Sequence, residues 1–432
     1  MAGLLLVLLI AAGQSLHDGS ELRIGGAGNI RIEEFVALQA AAAAIYLFAV
    51  AQMLRRPQAA PLWLVLTIAT AMRVVPLASP MFLSSDLFRY VWDGRVQLAG
   101  INPYRYLPAD PALAALRDTA IYPHINRAAT ARTIYPPMAE LVFAAVAWLG
   151  QTPRVMRLAM VGFEALAALC LAGLLRRLGL PFGRLLIYAW NPLPVWEFAG
   201  NGHLDAMVVG FSAAALLASA QRRRAVVGVI LAAATLVKFL PAAIAPAFWR
   251  RGDWRLPLAG GLAAAVLYAC YLGAGSQVLG FLPGYAAEEG ISDGSGFWLL
   301  EGIGLVTPLP GWAGKAFVAA VAAALAAAAW RWSAAERDAV RTAALAGALA
   351  TFSMVALSPH YPWYYAWISV FAVISPQRCG IYLGAAALLL YIDPAHARFA
   401  WRALVFAPTV ALSILDLKRP LLSIGERRWT SP

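Results

Sequence analysis

Charge is what this sequence lacks most. Only 13% of its 432 residues are Asp, Glu, Lys or Arg, about half the share of a soluble domain. That scarcity excludes an ordinary water-facing surface over the whole chain. Cysteine is scarce too. Cys170, Cys270 and Cys379 lie far apart within apolar runs, which excludes a disulfide framework and a closely spaced thiolate metal site. Only three lysines stand among 34 basic residues, and histidine occurs five times.

What is present is apolar: 61% of the chain. Apolar runs occupy roughly 2–13, 34–53, 61–78, 134–150, 155–175, 184–199, 204–220, 224–238, 239–249, 256–274, 315–332, 339–357, 363–375, 380–391 and 400–416. Many approach the ~20 residues that cross a bilayer as a helix. The expected fold is all-α: a polytopic transmembrane helix bundle of about 12–14 spans, forming a single domain over 1–432. The short runs read as half-helices that meet a cavity, and the alanine-rich ones suit close helix packing. Met1 to Ala12 resembles a signal peptide in length, but it lacks a basic start and a cleavage signal, so it reads as a first membrane helix.

The net charge of +12 would suggest nucleic acid in a soluble protein. Here the arginines cluster between apolar runs, at Arg55–Arg56, Arg222–Arg224, Arg250–Arg251, Arg331 to Arg341 and Lys418 to Arg428. That is the positive-inside pattern, and no nucleic-acid partner is expected. Two longer polar stretches, 84–133 and 275–314, then fall on the outer side as loops. So do His17, His124, His203, His360 and His396, with Asp86, Asp93, Asp205, Glu288 and Asp293. Acids contribute little to topology, so their gathering there predicts a polar working surface. One conflict remains. Arg154 stands just before the run 155–175 and Arg157 at its start, and Arg176 to Arg184 follow it. One of the segments 134–150 and 155–175 therefore does not fully cross.

Five stretches carry candidate chemistry. In "SSDLFRYVWDGRVQLAGINPY", from Ser84, helical spacing puts Asp86, Tyr90, Asp93 and Gln97 on one face and Leu87, Val91 and Leu98 on another. This predicts an amphipathic helix lying along the membrane surface, whose plainer reading is an interfacial connector with solvated acids. In "TIYPPMAEL" the prolines suit a helix entrance and hold Tyr135 beside the first loop. In "NPLPVWEFAGNGHLDAM", Glu197 sits at membrane depth, where a carboxylate is a functional candidate; His203 and Asp205 follow, and Asn201 with Asp205 reads equally as a helix cap. Lys238 in "LVKFLP" suits a phosphate or snorkels to the interface. His360 in "SPHYPWYYAW" stands among aromatics that read as an interfacial belt. Glu164, mid-span, either pairs with Arg157 or faces the bundle interior.

These stretches together resemble the GT-C glycosyltransferases. "SSDLFRYVWDGRVQLAGINPYRYLP", "TIYPP", "NGHLD" and "SPHYPWYYAW" resemble their polyprenol-phosphate-mannose-dependent mannosyltransferase branch. The resemblance implies a hexose, mannose above all, moved from a polyprenyl-phosphate donor to a lipid or glycan acceptor at the outer face of a bacterial inner membrane, with inversion. It implies Asp86 as general base. Lys238, His360 and Arg89 would stabilise the phosphate leaving group, and Tyr90, Asp93, Tyr135, Glu197, His203 and Asp205 would bind substrate or orient the base. No cofactor is expected; some GT-C enzymes use a divalent metal, but no dense ligand cluster is legible here. The competing readings are a secondary transporter, which would carry repeated halves and a midplane site, and a polysaccharide flippase or ligase of envelope assembly.

Overall fold

The structure is a computed structural model describing residues 1–16, 31–291, 293–334, 337–393 and 398–418. Among these residues there is no strand. Counting α-helices of seven residues or more, they are α1 (Ala2–Gln14), α2 (Ile32–Arg55), α3 (Leu62–Leu77), α4 (Asp86–Leu98), α5 (Pro137–Leu149), α6 (Pro153–Arg177), α7 (Asp205–Ala220), α8 (Arg224–Thr235), α9 (Arg255–Ala269), α10 (Leu282–Glu288), α11 (Trp298–Gly304), α12 (Ala313–Trp332), α13 (Ala339–Leu357), α14 (Arg378–Ala386) and α15 (Phe399–Leu417). This is an all-α polytopic bundle. Five helices, α2, α6, α12, α13 and α15, are long and apolar enough to cross a membrane alone, and a sixth crossing arises if α9 and the segment that follows it, bent by 109°, count as one. Shorter apolar helices fill the remainder. His17, His396 and the basic run after Lys418 lie outside the described residues.

Helix lengths resolve the arginine conflict. At 1.5 Å per residue, α5 reaches only about 20 Å, whereas α6, with 25 residues, exceeds the ~30 Å hydrocarbon core. So 134–150 is the segment that falls short, and α6 runs from Arg154 and Arg157 at one face to Arg176 and Arg177 at the other. Arg157 is not stranded among lipids. Its guanidinium donates to the carbonyls of Ala199 (2.7 and 2.9 Å), Ser79 (2.9 Å) and Pro76, joining the ends of two neighbouring segments.

Glu164 therefore does not pair with Arg157. It accepts from Arg73 at 2.6 and 3.1 Å and from the Tyr188 hydroxyl at 3.1 Å, with its side chain 3% exposed. Arg73 also donates to the Ala189 carbonyl at 2.8 Å. This one charged cluster ties α3, α6 and the chain before Asn191.

The run 184–199 is not a plain span. It breaks into a 3-10 turn, two short helical turns over Leu186–Ala189 and Pro192–Pro194, and a π-helical turn over Val195–Gly200, buried throughout from Leu185 to Gly200. Irregular backbone at membrane depth is tolerated where protein surrounds it, and a π turn often marks a functional position; here it carries Glu197.

The helix beginning at Asp86 forms as expected, but its polar face does not meet water. Leu87 through Gly94 are all buried. At Gly94 a Cβ would sit 2.4 Å from the Phe143 carbonyl, so α4 packs backbone-close on α5. The polar face is buried because it meets other polar groups rather than water. The stretch 275–314 folds over this region. Gly280 (φ 54°) passes so close to Thr133 that a Cβ would overlap its carbonyl, and the Phe281 N–H donates to that carbonyl at 3.2 Å.

Removing one member of a buried ion pair leaves an uncompensated charge, at a cost of about 3–5 kcal/mol. Glu164→Leu should therefore lower the unfolding temperature in detergent steeply, while the paired change Arg73→Leu with Glu164→Leu recovers much of the loss. A single Glu164→Leu variant as stable as wild type would overturn the role of this pin.

Candidate active site

Between α4, the first loop and the segment 281–289 lies a cavity of about 900 Å³. Its wall has two characters. Asp86, Arg89, Asn126, Arg127, Lys238, Glu289 and His360 are among its polar lining residues, and Leu204, Val237, Phe239, Leu240, Phe281 and Leu282 among its apolar ones. A mostly apolar pocket with a few convergent polar groups is the usual form of a small-molecule site.

Asp86 opens α4, where Ser84 Oγ accepts from its N–H at 3.3 Å. A carboxylate at a helix N-terminus is favoured by the helix dipole. Its side chain is 25% exposed, into the cavity. Asn126 Nδ2 donates to Oδ1 at 2.9 Å. Burial pushes the Asp86 carboxyl above the ordinary carboxylate range, opposed by the Asn126 hydrogen bond and by the charges of Lys238 and Arg127. Behind it stands His203, 1% exposed, with Nδ1 3.9 Å from Asp86 Oδ2 and Nε2 3.5 Å from Glu197 Oε2. Both ring nitrogens are buried without a hydrogen bond at those distances. Trp363 stacks on the imidazole at 3.9 Å between centroids. Burial, reinforced by Lys238, holds the imidazole well below its usual pKa and hence neutral. Glu197 is wholly buried, accepting from Asn201 at 3.2 Å and from Tyr391 at 3.0 and 3.2 Å. Asp86, His203, Glu197 and Tyr391 thus form one file leading inward from the cavity.

The cationic candidates are engaged. Lys238 Nζ contacts both Asp205 oxygens at 2.8 and 3.0 Å and lies 3.3 Å from the centre of the Tyr364 ring. It does not snorkel to water, and Asp205 answers its charge rather than facing the cavity. His360 Nδ1 meets Glu289 Oε2 at 3.0 Å. Arg127 pairs with Glu288 at 2.7 Å, fastening the first loop to α10. Arg89 lines the cavity while gripping Asp93 through Nε at 2.8 and 3.0 Å and donating to the Ala131 carbonyl at 3.1 Å. Asp93 does not reach the cavity. It is buried and braces Arg89. Tyr90 and Tyr135 meet edge to face at 5.0 Å on the cavity wall, with Tyr90 stacked on Phe143. The residues around His360 are not a lipid-facing belt: Trp363 and Trp367 are buried, and Tyr361 and Tyr364 line the cavity. Asp293 lies outside this cavity, capping its own turn through Ser295.

The comparison with protein families decides what such a site belongs to. Residues 1–250, more than half of the 432, match the model of the MptA_B family, described as alpha-(1->6)-mannopyranosyltransferase, N-terminal domain. The chain belongs to the MptA_B family. This is a GT-C mannosyltransferase family, so the protein is a membrane glycosyltransferase that transfers mannose. No curated protein and no solved structure matches the chain. The family match covers Asp86, Tyr135, His203 and Lys238 but ends before Glu289 and His360, so both matched and unmatched segments wall the cavity.

Sequence reasoning missed several groups in this family member. Glu140, fully buried, accepts from Thr133 Oγ1 at 2.6 Å and Gln97 Nε2 at 2.9 Å. An acid one turn inside the apolar α5 was the available signal, the same one that marked Glu197. Asn126, Arg127 and Glu289 carried no such signal, since loop polarity is ordinary. Among the described residues no three His, Cys, Asp or Glu side chains form a group able to hold a metal ion.

The Asn126 hydrogen bond favours the ionised carboxylate. Asn126→Ala should therefore raise the midpoint at which Asp86 protonates, read from its carboxyl stretch in difference infrared spectra referenced to Asp86→Asn. An unmoved midpoint would show that Asn126 does not govern Asp86.

Proposed function

We propose that this mannosyltransferase takes its sugar from a polyprenyl-phosphate donor and passes it, with inversion, to a lipid or glycan acceptor at the outer membrane face, with Asp86 as general base. The observation that carries the reading is the Asp86 carboxyl facing a 900 Å³ cavity that is part apolar and part cationic, in a chain of this family.

The chemistry follows from the placement. The acceptor oxygen bonds to the anomeric carbon as the bond from that carbon to the phosphate oxygen breaks. Asp86 removes the acceptor's proton, and the electron pair leaves with polyprenyl phosphate. A phosphate leaving group needs charge stabilisation more than protonation. Lys238, Arg89 and Arg127 supply positive groups on the cavity wall, with the His360 imidazole beside them, and the reading assigns this task to these side chains. Each is held by a carboxylate partner, which fixes its position and moderates its charge. The apolar wall of Phe239, Leu240, Phe281 and Leu282 takes the first isoprene units. His203, neutral and pressed between Trp363 and the file to Glu197, keeps the carboxyl of Asp86 aimed at the cavity, while Asp93, through Arg89, acts as a positioning residue.

A general base contributes typically ~100- to 10,000-fold, so Asp86→Asn should lose transfer by that factor while still binding the donor. The check is incubation with labelled polyprenyl-phosphate mannose, scoring labelled product and retained donor. Wild-type turnover by Asp86→Asn would sink the assignment of the base. No labelled product from the wild type with any such donor would overturn the polyprenyl-phosphate donor.

The base must be ionised, and burial raises the Asp86 pKa. Activity should thus fall as pH drops through a midpoint above the ~3.9 of a free aspartate, with full activity on the alkaline side of that limb. A kcat/KM profile measures it; an acid limb at or below the free value contradicts the role.

A further inference from the structure

Glu140 is a wholly buried acid that takes no part in the chemistry given above. It stands in the first turn of α5, against the side of α4 that carries Asp93. Asp93 is buried as well, and the two carboxyl groups hydrogen-bond each other. Two carboxylates cannot do that. Each offers acceptors alone, so a hydrogen bond between them requires a proton on one. We propose that Glu140 carries this proton and, as a neutral acid, is a positioning residue that holds Asp93, and through Asp93 the guanidinium of Arg89, at the cavity wall. The part played by Arg89 rests on the functional reading above, in which it steadies the departing phosphate.

The partners of the two acids decide which one holds the proton. Arg89 Nε lies 2.8 and 3.0 Å from the two Asp93 oxygens, a charge-assisted contact that favours the ionised form. Glu140 is met by neutral groups, Thr133 Oγ1 at 2.6 Å and Gln97 Nε2 at 2.9 Å. The hydrogen bonds of Arg89 go to Asp93 and to the Ala131 carbonyl, not to Glu140. Thr133 hydrogen-bonds Asp93 too, and a hydroxyl has a single hydrogen to offer two carboxyl groups. The neighbouring phenols are committed elsewhere. Tyr271 Oη donates to Gln97 Oε1 at 2.8 Å, and Tyr104 Oη donates to the Tyr135 carbonyl at 2.6 Å. With both acids ionised, the guanidinium of Arg89 would face two buried carboxylates. Like charges so close drive one group to keep its proton, and an uncompensated buried charge is costly. A protonated Glu140 leaves Arg89 and Asp93 balanced.

The state of Glu140 bears on the cavity because Arg89 lies on its wall. A phosphate gains negative charge as it leaves the sugar, and preorganised positive charge is what stabilises it. A second carboxylate behind Arg89 would set a net negative charge against that process. As an acid, Glu140 donates to Asp93 and accepts from Gln97, so it fixes Asp93 without adding charge. Gln97 carries the same network to Tyr271, at the bend after α9. The chain beyond that bend supplies Phe281 and Leu282 to the cavity. Glu140 thus joins two parts of the wall: Arg89 through Asp93, and the chain after α9 through Gln97.

The proton is read without any activity, from infrared difference spectra of the full-length protein in detergent, wild type against Glu140→Gln. At neutral pH the wild type should show the carbonyl stretch of an un-ionised carboxyl group that Glu140→Gln lacks, although a free glutamate ionises near about 4.3. No such band, or a band that Glu140→Gln leaves untouched, overturns the assignment of the proton. Kinetics read the positioning. Glu140→Ala should lower kcat/KM for labelled polyprenyl-phosphate mannose by about 10-fold or more, the scale of one hydrogen bond to a charged group. Glu140→Gln, which keeps a neutral donor and an acceptor, should recover most of that loss. In an Arg89→Gln background, Glu140→Ala should cost little further, since residues acting through one another are not additive. Glu140→Gln as impaired as Glu140→Ala, or equal losses with and without Arg89, overturns the positioning role. If Glu140→Ala does not fold, Glu140→Asp, one methylene shorter, takes its place. A wild type that transfers no mannose from this donor overturns the donor reading and with it the task given to Arg89, while the infrared band alone still decides whether Glu140 holds the proton.

Discussion

A carboxylate beside a cavity cut into an apolar bundle must find its solvation within the protein, since an isolated buried charge is prohibitively costly. Asp86 meets that constraint with a helix N-terminus, one amide donor and nearby cations, and the rest of the site is arranged around it. Asn126 comes from the first loop, Lys238 from the end of α8, and His203 from the break before α7. The first loop cannot be loose if it delivers Asn126. Its fixtures are correspondingly many: Arg95 to Asp118 at 2.7 Å, Asp118 to the Ile121 N–H at 2.7 Å, and Arg127 to Glu288.

The same constraint governs the other buried charges. Arg73 answers Glu164, Arg89 answers Asp93, Lys238 answers Asp205 and Arg402 answers Glu301. Arg157, which has no carboxylate, is satisfied by three carbonyl groups instead. Each pairing joins segments or stiffens a helix turn, so charge in this bundle acts as a set of pins between otherwise uniform apolar helices. Alanine and leucine faces specify packing only weakly. A buried ion pair that works only in register is one physical means of fixing which helices meet.

The helical, membrane-spanning character was legible because the ~20-residue requirement of a bilayer leaves a direct mark on hydropathy. The polar face of the helix from Asp86 was legible from its spacing of four, three and four residues. Its surroundings were not. Periodicity states which residues share a face but not whether water or another polar surface lies opposite, and here it is Glu140, Thr133 and Ala131 that meet Asp93 and Arg89. The aromatics after His360 misled for the same reason. A tryptophan that stacks on His203 and one that anchors in lipid headgroups look alike in a string of letters.

By itself the sequence determined the apolar segments, the arginine-rich face, the helix carrying Asp86 and, through its motifs, the resemblance to a mannosyltransferase branch. These depend on composition and on spacings within one helical turn or one short run. Only the tertiary structure decided which charges answer one another: that Glu164 takes Arg73 and not the arginine two turns before it, that Lys238 takes Asp205, and that His203 stands between Asp86 and Glu197. Those choices depend on distances between segments tens to hundreds of residues apart. Coulomb attraction and hydrogen bonding act through space at a few ångströms, a separation that helical periodicity along a single segment does not record.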